Sequence, residues 1–256
     1  MSAIRLGTRA STLATTQSEM VAGLLRSEGL DVNLTTITTH GDTSTASLAA
    51  MGGIGVFASA IRAALLEGEA DIAVHSFKDL PTGRPLGLAI GAVPARADPR
   101  DALVARDGLT LHDLPQEASV GTGSPRRAAQ LLAVRPDLTI VDIRGNVDTR
   151  LGRVKGLGRY AKNGGKEDLD AVVLAASGLA RLGHSGAVTE FLDPSVVLPA
   201  PAQGALAVEC RTADSRHGKL AKALARIDDR RTRLAATAER AVLSHLEAGC
   251  AAPIGA

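Results

Sequence analysis

The chain has 256 residues, of which 45% are hydrophobic and 22% are charged, and its formal net charge is +2. These values are typical of a globular protein with one to three domains and exclude wholesale disorder. Aromatic residues amount to only 2%. Together with the near-neutral charge, that scarcity argues against a protein that binds nucleic acid through a basic surface or stacked bases.

Arginine dominates the basic residues, with 23 Arg against 6 Lys. Codon bias and a ligand that needs planar guanidinium groups explain this excess equally well until the positions are considered.

The cysteines and the apolar runs define the expected compartment. The sequence shows no apolar stretch typical of a secretory signal and no run of about 18 apolar residues that could span a membrane. Two cysteines, Cys210 and Cys250, are too few for a disulfide framework, and no Cys/His cluster has the spacing of a zinc site. We therefore expect a cytoplasmic protein without a metal site or a membrane partner.

Short apolar runs alternate with helical patterns along the chain. Strands are predicted at residues 4–6, 31–38, 71–75, 88–93, 102–105, 119–121, 138–143, 171–174 and 206–210. A first helix is predicted to begin after Ser11, its N-cap, and to end at Gly29, and further helical patterns cover residues 56–67 and 221–245. Residues 39–55 are rich in Gly, Ser and Thr and predict a long mobile loop.

This βαβ rhythm predicts an α/β protein whose parallel or mixed sheets carry helices on both faces. Three prolines in residues 194–201 predict a linker or crossover, so we expect two α/β domains followed by the start of a third unit. Ligands of such sheets bind beyond the carboxyl ends of the strands. The loops that follow strands are therefore the expected places for chemistry.

Two of these loops are rich in arginine. In GTGSPRR, Ser124 is a predicted N-cap, Pro125 suits the first helical position, and Arg126 and Arg127 add two guanidinium groups to an anion-binding helix start. In RGNVDTR, a helix capped by Asn146 would bring Arg144 and Arg150 to one opening. From residue 126 to residue 166 there are ten basic and three acidic residues, which favours a polyanionic ligand over the alternative, a solvated basic face.

Three further positions are candidates for chemistry. Arg9 and Ser11 lie in the first strand-to-helix turn, where an anion site and ordinary helix capping are equally good readings. Lys78 and Asp79 follow a buried strand and could form a catalytic ion pair, although a surface salt bridge is the commoner explanation. Cys250 is a loop thiol and a candidate nucleophile, whereas Cys210 in an apolar strand is expected to be a small buried side chain.

Eight segments resemble, in order, the hydroxymethylbilane synthase (porphobilinogen deaminase) family. They are GTRAS, HSFKDLP, ADPRDAL, GTGSPRR, RGNVDTR, LAASGLARLG, PAPAQGALAVECR and EAGCAAPIG. The resemblance implies a monomeric cytoplasmic transferase that joins four porphobilinogen units head to tail, releases ammonia and hydrolyses the chain off as hydroxymethylbilane. It also implies a dipyrromethane cofactor attached to Cys250 by a thioether, with porphobilinogen and the growing oligopyrrole as partners.

The resemblance further implies a role for each matching residue. Asp79 would stabilise the cation left by deamination and manage protons, and Lys78 would contact cofactor and substrate carboxylates. The cofactor would be held by Lys78, Asp79, Arg126, Arg127, Arg144, Arg150 and Cys250. The substrate would be held by Arg9, Ser11, Arg144, Arg150 and Arg181.

The fold implied by the resemblance has two domains like type-II periplasmic binding proteins and a small C-terminal α+β domain. Domain 1 would comprise residues 1–94 with 195–212, domain 2 residues 95–194, and domain 3, which carries the cysteine, would begin at residue 213. Relatives continue beyond the position of Cys250, so we expect domain 3 to be truncated at residue 256.

The sequence departs from the family pattern in two internal segments. Ile54 and Ala50 stand where the family has Lys in a mobile loop, which puts one contribution to substrate handling in doubt. Residues 154–168 form an insertion rich in Lys and Gly that we expect at the surface.

Two other classes of function stay open at this point. A non-catalytic two-domain binding protein for a small carboxylated ligand would use the same arginines, and Asp79 and Cys250 argue against it. A nucleic-acid binder using residues 126–166 is disfavoured by the scarcity of aromatic residues.

Overall fold

The computed structural model describes residues 3–37, 56–83, 85–248 and 252–256. In that part of the chain the strands are, in order, β1 (Ile4–Thr8), β2 (Val32–Thr36), β3 (Ile72–Ser76), β4 (Leu88–Ala92), β5 (Asp101–Ala105), β6 (Ser119–Gly121), β7 (Thr139–Val141), β8 (Ala171–Ala175), β9 (Glu190–Phe191) and β10 (Leu206–Arg211). The helices are α1 (Thr12–Ser27), α2 (Val56–Leu66), α3 (Pro125–Val134), α4 (Val147–Leu151), α5 (Ala176–Arg181), α6 (Gly218–Ile227) and α7 (Arg230–His245). The predicted alternation of strands and helices is confirmed.

Local sequence accounts for where the helices begin and end. The Ser11 side chain accepts a hydrogen bond from the backbone N–H of Ala14 at 3.3 Å, which caps α1 as predicted. Gly29, just beyond that helix, has a φ of 81°, a left-handed conformation that favours glycine. Ser124 caps α3, with Pro125 in its first turn, and Asn146 caps α4 by accepting from the N–H of Thr149 at 2.8 Å.

The first compact unit comprises Met1–Ala97 and Ala205–Ala251. Its five-stranded sheet has the order β2-β1-β3-β10-β4, in which β1 is parallel to β2 and β3, and β10 is antiparallel to β3 and β4. Helices α1 and α6 pack on one face of this sheet around Leu6, Val21 and Leu224. Helix α2 packs on the other face through Ile61 and Leu65.

The second compact unit comprises Asp98–Gly204 and Ala252–Ala256. Its sheet has the order β7-β6-β8-β5-β9, in which β6 is parallel to β7 and β8, and β5 is antiparallel to β8 and β9. One face packs on α3 through Leu131 and Val173, and the other packs on α4 and α5 through Leu151 and Leu179. Residues 205–251 cluster with the first unit, and the domain boundaries given above, including a third domain from residue 213, stay a prediction.

The helical pattern predicted over residues 221–245 is confirmed, but with an interruption. The chain forms two helices, α6 and α7, separated at Asp228 and Asp229. The Asp229 carboxylate accepts the backbone N–H of Thr232 at 2.7 Å and caps α7, and the Asp228 carboxylate accepts the backbone N–H of Val93 at 2.7 Å. Aspartate side chains that bind backbone groups outside the helix favour a break at this point.

Residues 154–168 are not wholly a surface excursion, contrary to expectation. Val154 is fully buried, and Leu157 and Tyr160 pack against the core of the second unit. Val154 also forms an isolated parallel bridge with Leu169. The exposed residues of the segment are 155, 156, 159, 162–164 and 166–168.

The predicted loop at residues 39–55, with Ala50 and Ile54, lies outside the described residues. None of the described helices combines the length and the apolar character that a membrane span needs.

Candidate active site

One edge of the first sheet carries two pairs of predicted site residues. β1 and β3 are parallel neighbours, with Leu6 opposite Ile72, so their carboxyl ends meet at the same edge of the sheet. The turn after β1 holds Arg9 and Ser11, and the turn after β3 holds Lys78 and Asp79. The fold therefore brings these four residues to one edge, as ligand binding by an open α/β sheet requires.

The turn after β3 is a short 3-10 helix, Phe77–Asp79. Phe77 is buried, Lys78 is half-buried and Asp79 is exposed. The backbone N–H of Phe77 donates to the carbonyl of Ala205 at 3.0 Å, and the side chains of Ser76 and Gln17 are hydrogen bonded at 3.0 Å. The Asp79 carboxylate thus points to solvent from a turn whose backbone is fixed to the sheet.

Beneath this turn lies a buried charged group that the sequence did not reveal. His75 Nε2 lies 3.3 Å from Glu209 Oε2, and Arg62 donates to both oxygens of the same carboxylate at 2.9–3.1 Å. Burial raises the pKa of Glu209, but His75 and Arg62 outweigh that effect and hold the pKa below its usual range. His75 is buried.

In the second unit, Arg126 and Arg127 are buried and bind a carboxylate of the chain itself. Arg126 Nη2 donates to Asp101 Oδ2 at 2.7 Å, and Arg127 donates to Asp101 Oδ1 from Nε at 3.0 Å and from Nη2 at 2.7 Å. Gln203 Nε2 also donates to Asp101 Oδ1, at 2.8 Å. The alternative of a solvated basic face is therefore wrong for Arg126 and Arg127, since both side chains are less than a tenth exposed.

Asp101, which no sequence motif singled out, is the residue that joins the two arginines. Its side chain is fully buried. Burial raises its pKa, but Arg127 and Arg126 more than compensate, and the pKa falls to about 2. The sequence of β5 does indicate a buried partner for Asp101, because a charged residue at the start of an otherwise apolar strand must be paired when that strand is buried.

Arg144 and Arg150 lie on the next loop of the same sheet. Arg144 is exposed and lies 3.4 Å from Asp142, and Arg150 Nε donates to the carbonyl of Gly145 at 2.9 Å. The pKa of Arg150 is lowered by burial and by the positive charges of Arg127 and Arg144. Three of the predicted guanidiniums therefore share one region, and we refer to Arg127, Arg144 and Arg150 as the arginine group.

Close packing at Gly123 joins the two arginine-bearing loops. β6 and β7 are parallel neighbours, so the loops that follow them leave the same edge of the second sheet. A Cβ on Gly123 would lie 2.7 Å from the backbone oxygen of Ile143, closer than side-chain carbons approach. Only glycine lets the GTGSPRR loop lie this close to the residue that precedes Arg144.

Arg181, at the end of α5, presents an unused donor. Its Nη2 donates to the carbonyl of Gly204 at 2.7 Å, whereas its buried Nε has no hydrogen-bond partner among the residues that the structure describes. Burial lowers the pKa of Arg181. The next turn places His184 Nε2 2.6 Å from the carboxylate of Asp148 on α4, which ties the helix of Arg150 to the segment of Arg181.

These side chains fit a ligand that carries several carboxylates. The arginine group and Arg181 offer planar donors that bind carboxylates through charge-assisted hydrogen bonds. Among the described residues, no cluster of His, Cys, Asp and Glu could hold a metal ion.

The two cysteines differ in what the structure says of them. Cys210 is fully buried in β10, and burial raises the pKa of its thiol to about 11, which confirms the expected inert role. Cys250 lies outside the described residues, and its role as the attachment point stays a prediction.

Comparison with known proteins identifies the chain's relatives. The family model described as "Porphobilinogen deaminase, dipyromethane cofactor binding domain" matches residues 4–219, and "Porphobilinogen deaminase, C-terminal domain" matches residues 233–256. Porphobilinogen deaminase of Micrococcus luteus is 57% identical over 275 residues, covering 100% of this chain and 73% of that protein. The enzyme of the same name from Leifsonia xyli subsp. xyli is 59% identical over 256 residues, covering 99% and 75%.

A solved structure supports the fold independently. A nutrient binding protein from Burkholderia cenocepacia, bound to methionine, superposes with a TM-score of 0.50 at 16% identity, covering 87% of this chain and 91% of its own. At that identity the likeness concerns the fold alone, and it confirms the predicted α/β class with periplasmic-binding-protein-like domains. The sequence matches go further, and on their extent and identity the chain belongs to the porphobilinogen deaminase family.

Proposed function

We propose that this chain acts as a hydroxymethylbilane synthase, with Asp79 as its catalytic carboxylate and the arginine group as the binding site for the pyrrole carboxylates. The reaction joins four porphobilinogen units head to tail with loss of ammonia and ends with hydrolysis to hydroxymethylbilane. Family membership supports the reaction, and the assignment of residues is our proposal.

The observation that carries the residue assignment is the electrostatic coupling within the arginine group. Arg150 is partly buried and is repelled by Arg127 and Arg144. Asp101 pairs with both Arg126 and Arg127, so its single negative charge leaves one positive charge uncompensated there. A cluster of like charges in a partly desolvated place is costly unless an anion binds there. Each porphobilinogen carries an acetate and a propionate, so a pyrrole chain supplies such anions.

The chain's own residues fit a dipyrromethane cofactor. When bound, the dipyrromethane supplies the pyrrole carbon to which the first substrate unit is added. Arg126, Arg127, Arg144 and Arg150 of the second unit and Lys78 of the first are the proposed binding groups for its carboxylates, and Cys250 is its proposed attachment point. Arg9, Ser11 and Arg181 would hold the carboxylates of the incoming substrate.

Asp79 has the placement that a charge-stabilising carboxylate needs. It is exposed at the carboxyl end of β3, on a turn whose flanking backbone is hydrogen bonded to the rest of the unit. Loss of ammonia from porphobilinogen leaves a cation, and a carboxylate held in advance beside it stabilises the charge without reorganisation. Asp79 can also receive the proton that the pyrrole carbon releases after the new bond forms.

Single-turnover measurement of ammonia release tests this role. Asp79→Asn in the cofactor-bearing enzyme should release ammonia at least about 100-fold more slowly, as expected when a transition-state charge loses its partner. Glu67→Gln, an exposed carboxylate at the end of α2, is the matched control and should keep the wild-type rate. Unchanged ammonia release by Asp79→Asn would disprove the assignment.

Partners and location belong to the same proposal. Porphobilinogen and the growing oligopyrrole are the proposed ligands of a cytoplasmic monomer that binds neither nucleic acid nor membrane. The alternative function, a non-catalytic binding protein for a small carboxylated ligand, is not favoured by the family match, and it predicts no ammonia release at all in the experiment above.

A further inference from the structure

Arg240 on α7 holds the backbone of the turn that carries Asp79. Its Nη1 donates to the carbonyls of Phe77 and Leu80, each at 2.8 Å, and its Nη2 donates to the carbonyl of Pro81 at 2.7 Å. The guanidinium carbon lies 4.6 Å from the centroid of the Phe77 ring, within the range of a cation–π interaction. One side chain therefore binds backbone carbonyls of this turn on both sides of Asp79.

These contacts hold the Arg240 charge in a partly buried position, where desolvation disfavours it. The pKa of Arg240 is lowered by burial and by the nearby positive charge of Arg62. In the part of the chain that the structure describes, no carboxylate lies within ion-pair distance of Arg240. The three carbonyl oxygens and the Phe77 ring are thus the groups that compensate its desolvation.

The turn borders open space on the side of Arg240. A cavity of about 1170 Å³ lies behind it, lined by Phe77, Leu80, Pro81 and Arg240 but not by Asp79. Without the guanidinium, the three carbonyls would face this space and would bind water instead. The turn would then be free to shift, and the Asp79 carboxylate would shift with it.

We propose that Arg240 is a positioning residue for the reaction, which fixes the Asp79 carboxylate by binding the three carbonyls that bracket it. The inference rests on the role of Asp79 proposed above. A displacement of about 1 Å of a reacting group can cost about 100-fold in rate, so the expected effect falls on kcat. Arg240 itself would touch neither substrate nor cofactor.

The same helix offers a matched control. Arg233 on α7 also binds backbone carbonyls, those of Ile90 and Gly91 at 3.3–3.5 Å, and it pairs with Asp228 at 2.7 Å. These contacts hold β4 rather than the turn after β3. Loss of Arg233 therefore tests what the loss of a half-buried helix arginine does to the fold without disturbing Asp79.

The first experiment compares Arg240→Met with Arg233→Met in the cofactor-bearing enzyme. Arg240→Met should lower kcat by about 10- to 100-fold with KM changed less than about threefold, whereas Arg233→Met should keep kcat and lose only resistance to denaturant. If Arg240→Met does not fold, Arg240→Lys replaces it, because lysine keeps the charge but cannot reach three carbonyls as a planar fork. Wild-type kcat in the folded variant of Arg240 would overturn the proposal.

A second comparison separates this inference from the role of Asp79. In an Asp79→Glu background the carboxylate is already misplaced, so the further loss of kcat from Arg240→Met should be less than about threefold, the non-additivity of coupled residues. If Arg240→Met lowered kcat by the same factor in the Asp79→Glu background as in the wild type, Arg240 would not act through Asp79. If Asp79→Asn alone retains turnover, the proposed function of Asp79 fails, and this result is visible without any variant of Arg240.

Discussion

Asp101 Oδ1 accepts two hydrogen bonds from Arg127, from Nε at 3.0 Å and from Nη2 at 2.7 Å, and both side chains are buried. Because Arg126 binds the other oxygen of the same carboxylate, one aspartate fixes two arginines of the GTGSPRR loop. Two cations and one anion leave a net positive charge at the start of α3. Asp101 therefore positions two arginines of the proposed site without itself being a proposed ligand-binding residue.

Replacing Asp101 should lower the free energy of unfolding of the enzyme. Asp101→Asn leaves two buried guanidiniums without a counter-charge, and breaking a buried ion pair costs about 3–5 kcal/mol. We expect a loss of that order in the free energy of unfolding, measured by urea denaturation. Asp142→Asn is the control, since the exposed pair with Arg144 at 3.4 Å should contribute less than about 1 kcal/mol. Equal losses for the two variants would contradict this account.

The same carboxylate should make stability depend on pH in the acid range. The pKa of Asp101 in the folded chain is about 2, below the ordinary value of 3.8. Its contribution is therefore fully present above pH 4 and is lost as the pH falls from about 4 towards 2, up to about 2 kcal/mol. Urea denaturation from pH 5 to pH 3 should give a steeper decline for the wild type than for Asp101→Asn. Parallel curves would refute the assignment.

Removing a guanidinium from the arginine group should weaken ligand binding rather than the fold. Arg150→Gln relieves the repulsion by Arg127 and Arg144, so stability should hold or rise slightly, while affinity for the oligopyrrole should drop. A lost charge-assisted hydrogen bond costs about 1.5–3 kcal/mol, which is about 10- to 100-fold. Arg159→Gln, an exposed arginine of the same unit, should elongate the pyrrole chain at the wild-type rate. An unchanged elongation profile for Arg150→Gln would count against the site.

Glycine at position 123 should be required for the approach of the two arginine loops. In Gly123→Ala the new Cβ would meet the backbone oxygen of Ile143 at 2.7 Å, so one loop must move. We expect a rise in KM with a smaller change in kcat, because binding groups move while Asp79 stays in place. Gly186→Ala serves as the comparison, since a Cβ there meets nothing within 4 Å. Identical kinetics for the two variants would exclude a role for this packing.

The mass of the purified enzyme should distinguish the two cysteines. If Cys250 carries the dipyrromethane, Cys250→Ser should lack the adduct of two porphobilinogen-derived units that the wild type shows. Cys210→Ala should keep that adduct, because the buried Cys210 thiol, with a pKa of about 11, is a poor nucleophile. An adduct that survives Cys250→Ser would place the attachment elsewhere.

Most strands could be predicted because buried strands are short apolar runs bounded by Gly, Pro or Asp. The strand predicted at residues 119–121 is β6 to the residue. β9 could not be found in the same way, since Glu190–Phe191 is a two-residue edge strand with no periodicity. The break between α6 and α7 could not be predicted, because the helical pattern continues through it. Only the contacts of Asp228 and Asp229 reveal the interruption.

The excess of basic residues between positions 126 and 166 shows why charge counts along the sequence mislead. The carboxylates that neutralise several of them lie outside that stretch. Asp101 pairs with Arg126 and Arg127, and Asp170 pairs with Lys155. What remains for a ligand is Arg144, Arg150 and the positive charge that Asp101 leaves uncompensated on Arg126 and Arg127. The sequence could indicate these positions from the strand ends, but only the fold shows which charges are already paired.

The position of β10 determines the order in which the two sheets can fold during translation. This late strand lies between β3 and β4, so both have an unpaired edge until Leu206–Arg211 leaves the ribosome. The second sheet, from β5 to β9, is complete by Phe191. We therefore expect the nascent chain to become protease-resistant first in its middle, and its amino-terminal residues to depend on the later strand for a finished sheet.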